Sequence, residues 1–457
     1  MIRDDIKTDN KKGGKEELLA EGAIFPTMLK LGIPSFIAQF VYLLYNVVDR
    51  IYIGHIPKEG PLALTGLGVC LPIVTFVAAA ASFVGAGGSP LAGIAFGRKD
   101  RQQAEKILGN GVTLLVIFSL VLTLVFQLVK KPFLYMFGAS DATYPYARDY
   151  LTVYLWGTIF VLLALGLNTF IIVQGQSTIA MASVVIGAVV NIAIDPVFIF
   201  LLGMGVRGAA IATIISQAVS AAWTVRFLTS DRAVLAIRPE YLRPDGEIIK
   251  QISSLGISPF IMAATESVIT IAFNTGAQRY GNDLYVGSIT ILQSVVQMIF
   301  TPLNGFTQGC QPLISYNYGA GRLDRVRRAS YMITAVTFTY AFIFSGISMS
   351  FPGQIAGIFT GDAELIGLCQ RVLPVFICGM LVFGLQSGCQ TTFMALGKAR
   401  QAFFFAVLRK LILLTPLVII LPKAMNSVMG IYYAEPVSDA LSAVCCFIVC
   451  MMTLRAL

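Results

Sequence analysis

The sequence has one histidine, two tryptophans and little charge. Only 12% of its 457 residues are Asp, Glu, Lys or Arg, about half of the ~25% that a water-facing domain carries. A chain this poor in charge cannot coat a large hydrated surface, which excludes a soluble globular domain. With His55 as the single imidazole, there is no clustered His, Asp or Cys constellation for metal or hydrolytic chemistry, so the chain reads as no enzyme and as needing no cofactor. Its eight cysteines lie almost entirely inside apolar runs, with neither zinc-type spacing nor a disulfide framework. The opening MIRDDIKTDNKKGGKEELLAEG lacks the apolar core of a cleavable signal peptide and is expected to be a cytoplasmic tail over 1–24.

What the chain does have is apolar length. Hydrophobic residues make up 56% of it, and runs such as GVTLLVIFSLVLTLVFQLV (111–129) and YLWGTIFVLLALGLNTFIIV (154–173) recur from end to end. Each reaches the ~20 residues that a helix needs to cross a hydrocarbon core of about 30 Å. Counting runs broken by charge, Gly or Pro predicts twelve helices, over 25–55, 61–92, 106–130, 147–173, 178–202, 208–229, 248–276, 284–317, 328–350, 366–394, 402–421 and 430–453. The fold class is therefore an all-α polytopic membrane protein. Lys and Arg concentrate in the even-numbered loops, for example Arg98, Lys99 and Arg101, or Arg322, Arg325, Arg327 and Arg328. The third loop, with Lys130, Lys131 and Arg148, departs from that pattern. This bias predicts both termini in the cytoplasm of a bacterial inner (plasma) membrane. It also accounts for the net charge of +9 without a nucleic-acid partner; the partners expected are the lipid bilayer and small molecules, and the chain is expected to be a monomer.

The chain repeats itself. LGIP (31–34) returns as LGIS (255–258) and GRKD (97–100) as GRLD (321–324), both 224 residues apart; QGQ (174–176) pairs with LGK (396–398) at 222. In the sixth and twelfth helices Gly208, Ala212, Ser216 and Ser220 answer to Gly430, Ala434, Ser438 and Ser442, again at 222. These small residues, four apart, share one face and permit close helix approach. The repeat divides the chain into two six-helix lobes, 25–229 and 248–457, joined by a cytoplasmic linker over 230–247. An even helix number per half makes the repeat parallel, an arrangement known among secondary transporters.

Carboxylates inside the membrane are costly, about 2.5–3.5 kcal/mol each on insertion scales, and mark function by default. Asp49 in helix 1, Asn191 and Asp195 in helix 5, Glu266 in helix 7, and Glu435 with Asp439 in helix 12 stand out. Chain direction puts Asp49, Asp195 and Thr213 of helix 6 at similar depth, and Asn191 shares a face with Asp195. Two carboxylates together in low dielectric cannot both ionise cheaply, so the group can take up a proton or bind Na⁺. Arg50 is the alternative partner for Asp49. Pro34 removes a helix hydrogen bond below Asp49 and is expected to be a hinge. Candidates for a substrate cavity are Gln39, Tyr42, Tyr45 and Asn46 on helix 1, with Met262, Glu266, Gln293, Met298 and Glu435 in the second half; Met181 belongs to the same adaptable class.

The parallel repeat, the Pro34…Asp49 spacing, the segment from Asn191 to Asp195 and the following Thr213 resemble the multidrug and toxic compound extrusion (MATE) family, over about residues 25–453 and most nearly its MepA-like and DinF-like bacterial pumps. The resemblance implies a V-shaped pair of lobes with a central cavity. It also implies a cation site of Asp49, Asn191, Asp195 and Thr213, and H⁺- or Na⁺-coupled antiport of amphipathic, mostly cationic drugs by alternating access. The second half departs from the NorM-like pattern, since the expected helix-10 carboxylate would fall near Leu385 or Gln386. The alternative function is a lipid or lipid-linked-precursor flippase of the same superfamily, which would call for a strongly basic cavity.

Overall fold

The computed structural model describes residues 17–57, 59–281, 283–359 and 362–457, and these are almost entirely helical. Residues 1–16 of the expected tail lie outside the described residues. The first half contains α1 (Ile24–Gly54), α2 (Gly60–Gly97), α3 (Arg101–Met136), the pair α4 (Tyr144–Trp156) and α5 (Thr158–Ile172), α6 (Ser177–Pro196) and α7 (Gly205–Leu228). The second contains α8 (Gly246–Tyr280), α9 (Asp283–Gly319), α10 (Leu323–Ser350), a short α11 (Pro352–Phe359), the pair α12 (Ala363–Ile377) and α13 (Met380–Ala395), α14 (Ala399–Val407), α15 (Thr415–Met425) and α16 (Met429–Arg455). A π turn, Val197–Leu201, prolongs α6, and another, Leu408–Leu414, joins α14 to α15. Among the described residues nine helices are long and apolar enough to cross a membrane, and two bent pairs bring the number to eleven. The 35-residue α8 is the twelfth, less apolar because it carries Glu247, Lys250, Glu266 and Arg279.

Two predicted spans are broken where the apolar run gave no warning. The fourth bends by 59° between α4 and α5, and the tenth by 42° between α12 and α13. The breaks fall at Gly157 and Gly379, 222 residues apart. Gly157 lies against the Ile214 side chain and Gly379 against the Pro436 backbone, with no room for a Cβ at either. Ile214 and Pro436 are themselves 222 apart, so the two lobes share the bend and the neighbour that fixes it.

The lobes meet along α2 and α9. Gly97 on α2 sits on the Tyr316 carbonyl, and Gly319 on α9 sits on the Ile94 carbonyl. Both pairs relate by 222, as in a parallel repeat about an axis between the two helices. This register corrects one sequence match: the positive-φ residues that follow these helices are Lys99 (φ 62°) and Gly321 (φ 71°), also 222 apart, so GRKD and GRLD are offset by two from the structural correspondence. Above this crossing α1 packs on α9, with Gly309 against the Leu31 carbonyl, and α8 packs on α2, with Gly87 against the Ile252 carbonyl.

Two segments flanking the long helices bind across this end of the bundle. The linker is pinned to the first lobe: the Val234 and Leu235 amides donate to Gln174 Oε1 at 2.8 and 3.0 Å, Arg238 Nε donates to buried Glu105 at 2.8 Å, and the Asp245 amide donates to Asn110 Oδ1 at 2.7 Å. Residues 17–22 dock on the second lobe, where Asn317 Nδ2 donates to the Leu19 carbonyl at 3.0 Å and Arg325 Nη2 to the Gly22 carbonyl at 2.7 Å. The Leu19 side chain meanwhile inserts into the core of the first lobe. The described part of the expected tail is thus a docked arm.

Candidate functional site

Near the carboxyl-terminal end of α1, Asp49 turns inward, 8% exposed, toward fully buried Asn191 and Asp195 on α6. The i, i+4 spacing on α6 lets Asn191 Nδ2 donate to Asp195 Oδ1 at 3.2 Å. The carboxyl groups of Asp49 and Asp195 lie within hydrogen-bonding reach of each other. From α7, Thr213 reaches the same region, beside the Tyr150 side chain of α4. The structure brings together the four residues read from the sequence and adds Tyr150, one of two tyrosines in the segment ARDYLTVYLW (147–156), which nothing in its sequence surroundings sets apart. Arg50 is exposed and forms no ion pair with Asp49.

Three oxygens of this group, Asp49 Oδ1, Asn191 Oδ1 and Asp195 Oδ2, are buried without a hydrogen-bond donor. A buried acceptor left unsatisfied costs roughly 1–3 kcal/mol, so the arrangement calls for a positive charge. The donor set is all oxygen, which suits a hard cation or a proton and not a thiolate- or imidazole-seeking metal. One proton shared by the two carboxyls, or one Na⁺ held by these oxygens and Thr213, would each satisfy it.

Directly below lies a cavity of about 280 Å³ inside the first lobe, bounded by α1, α2, α5, α6 and α7, with Asn304 and Gln308 of α9 reaching in. Tyr42, Tyr45 and Asp49 follow one another along one side of α1, and Gly187, Asn191 and Asp195 along one side of α6, so the oxygen cluster lies about one turn beyond the lining residues Tyr45 and Gly187 on the same helix faces. The Tyr42 and Tyr45 rings meet edge to face at 5.1 Å, and Gln217 Nε2 approaches the Tyr45 hydroxyl at 3.4 Å. The lining is small and aliphatic residues with amides, hydroxyls and the rings of Tyr42 and Tyr45, and among the described residues it has no charged side chain. Gln39, Tyr42, Tyr45 and Met181 are among its residues, as expected.

The other cavity candidates are elsewhere. Asn46 turns back to donate to the Tyr42 carbonyl at 2.7 Å, and Met262, Gln293 and Met298 belong to α8 and α9 of the second lobe and do not line this lobe-internal cavity. Glu266 and Glu435 do not line this cavity either, and each is paired with a buried cation. Lys410 Nζ is bonded to Glu266, and Arg409 donates to Glu435 at 3.2 Å and to Asp439 at 2.6 Å. Both cations sit on the π turn, deep in the run FFFAVLRKLILLTPLVII. Two adjacent cations inside an apolar run were the available signal. Acids and amides stand out in mid-membrane, whereas cations near helix ends usually snorkel to water and draw no notice. At Pro34, α1 continues as one unbroken helix.

A family model described as MatE matches the chain twice, over residues 34–197 and 259–420. The chain belongs to the MATE family. Its members are transporters and not enzymes, which agrees with a multi-pass bundle built as two copies of one unit. Among curated relatives, the multidrug export protein MepA of Staphylococcus haemolyticus is 24% identical over 90% of this chain and 89% of that protein. Among solved structures, a MATE in the straight conformation superposes with a TM-score of 0.90 at 22% identity, covering 96% of this chain and 98% of that one. A MOP superfamily transporter from Pyrococcus furiosus, described as having a binding pocket of reverse polarity that suggests a different function, gives 0.89 over the same shares, also at 22% identity.

Proposed function

We propose that this MATE protein is an antiporter that exports amphipathic, mostly cationic organic compounds against H⁺ or Na⁺ by alternating access, as a monomer in a bacterial plasma membrane with both termini cytoplasmic. One observation supports the reading: a cluster of donorless buried oxygens, on Asp49, Asn191 and Asp195, lies about one turn along α1 and α6 from the lining of an uncharged cavity. A cation entering the cluster and an organic cation entering the cavity compete for one negative region, so each weakens the other. Coupling needs only that each ligand bind the two states of the transporter unequally. Tyr42, Tyr45 and Met181 offer flat and flexible apolar contact without a fixed polar pattern, which suits diverse cargo. The multidrug export name of the relative agrees with this.

A flippase for anionic lipid headgroups would need basic residues in the cavity, and among the described residues its lining contains neither Lys nor Arg. The decisive experiment is dye efflux in drug-sensitive cells together with proteoliposome uptake under a separately imposed ΔpH or Na⁺ gradient. Asp49→Asn and Asp195→Asn are each expected to abolish gradient-driven ethidium transport, at least a hundredfold, with expression unchanged. Undiminished transport in both variants would overturn the mechanism, and the gradient that drives the native protein names the ion.

A further inference from the structure

At the linker end of the first lobe, one buried carboxylate holds two arginines side by side. Glu105 of α3 is 3% exposed. Its Oε1 accepts from Arg101 Nε at 3.1 Å and its Oε2 from Arg238 Nε at 2.8 Å, while the Ala236 amide approaches Oε1 at 3.4 Å. Both arginine side chains remain about half exposed, at 45% and 49%. Each guanidinium is engaged through Nε, and among the described residues neither makes a further hydrogen bond. A guanidinium carries five N–H donors in a planar fork, so most of the donor capacity of both remains for a ligand.

The two arginines line a cavity of about 270 Å³ between the start of α3, the residues after α7 and the turn Pro239–Tyr241. Sites for drug-sized ligands run from about 300 to 1,000 Å³, so this one suits a smaller group. Its charge is mixed. Asp231 and Glu240 line it too, both exposed, and among the described residues neither is ion-paired with an arginine. The acids repel a polyanion and the arginines repel a simple cation, so the cavity selects a ligand that carries both signs. Paired guanidiniums meet phosphate oxygens bidentately, and an ammonium has three donors to divide between two carboxylates. Depth points to the source. Thr229 on the cavity wall follows exposed Trp223 of α7 by six residues, about 9 Å along a helix. Exposed tryptophans favour the membrane–water interface, and the headgroup layer adds about 5–8 Å to each side of the hydrocarbon. The cavity therefore lies at the level of phospholipid headgroups.

We propose that this cavity binds an aminoethyl phosphate, its phosphate on Arg101 and Arg238 and its ammonium on Asp231 and Glu240, and that the headgroup of phosphatidylethanolamine supplies it. Glu105 is the positioning residue: buried beneath the arginines, it sets the two guanidiniums together. A lipid held there ties the start of α3, the end of α7 and the linker into one unit. This goes beyond the antiport reading and does not rest on it, since it needs only that the chain spans a membrane.

The test is native mass spectrometry of the purified full-length protein, released from detergent micelles doped with equal amounts of dioleoyl-phosphatidylethanolamine and dioleoyl-phosphatidylglycerol. Retention of the ethanolamine lipid is expected to exceed that of the glycerol lipid at least tenfold, and to fall at least tenfold in Arg101→Gln/Arg238→Gln. Asp231→Asn/Glu240→Gln, at two exposed positions, should turn the preference toward the anionic lipid. Because the arginine variant strands Glu105, thermal melting checks its fold, and the acid variant, which leaves that contact intact, decides the matter if the arginine variant melts early. Soluble O-phosphoethanolamine is the second arm: its binding without retention of the lipid keeps the site and moves its source to solution. Equal retention of the two lipids by the native protein, a preference unchanged in the acid variant, or binding of neither lipid nor O-phosphoethanolamine overturns the inference.

Discussion

At the residue scale the molecule treats its two buried acid clusters in opposite ways. In the first lobe two carboxylates and an amide leave three oxygens without a donor; in the second, Arg409 and Lys410 are built in as counter-charges. Breaking a buried pair strands the partner, so Arg409→Met is expected to cost about 3–5 kcal/mol. A lowered melting temperature in detergent would register it, and adding Glu435→Gln and Asp439→Asn should restore most of the loss, because no carboxylate then remains uncompensated. A simple packing role for Arg409 would show no such rescue. The first cluster was legible in the sequence because carboxylates in apolar runs stand out and depth follows from chain direction. The second was only half legible. Glu266, Glu435 and Asp439 were visible, but their partners come from a helix whose π turn redirects two side chains, and no periodicity announces a π turn.

At the element scale the two bends are the features that apolar length alone conceals. A run of apolar residues reads the same whether the helix is straight or broken, and each bend depends on a glycine meeting a neighbour more than fifty residues away. The two breaks are not equally tolerant. At Gly157 an added methyl meets the Ile214 side chain, which can rotate; at Gly379 it meets the Pro436 backbone, which cannot. Gly379→Ala is therefore expected to lose about 1–3 kcal/mol and Gly157→Ala clearly less, read as the difference between their melting temperatures. Equal losses would mean that the backbone contact is not what fixes the tenth-span bend.

At the scale of the whole molecule the repeat was readable from a few tetrapeptides, but its register was not, since GRKD and GRLD match as letters while the backbone equates Lys99 with Gly321. The end of the bundle that holds the α2–α9 crossing is shut by glycines seated on opposing carbonyls. Gly97→Val or Gly319→Val should make that closed state unattainable. Spin labels at Arg101 and Asp324, at the starts of α3 and α10, are expected to move apart by several ångströms, and transport should fall in parallel. An unchanged label distance would show that the crossing can yield without opening. The docked segments carry a different implication. Residues 17–22, ahead of α1, are held by Asn317 and Arg325 of the second lobe, while the stretch ahead of α8 is held by Glu105 and Asn110 of the first. Each half therefore lends its leading arm to the other. Two separate copies of such a half would meet as an arm-exchanged dimer, and joining them into one chain required only that the second arm be reached by a longer tether.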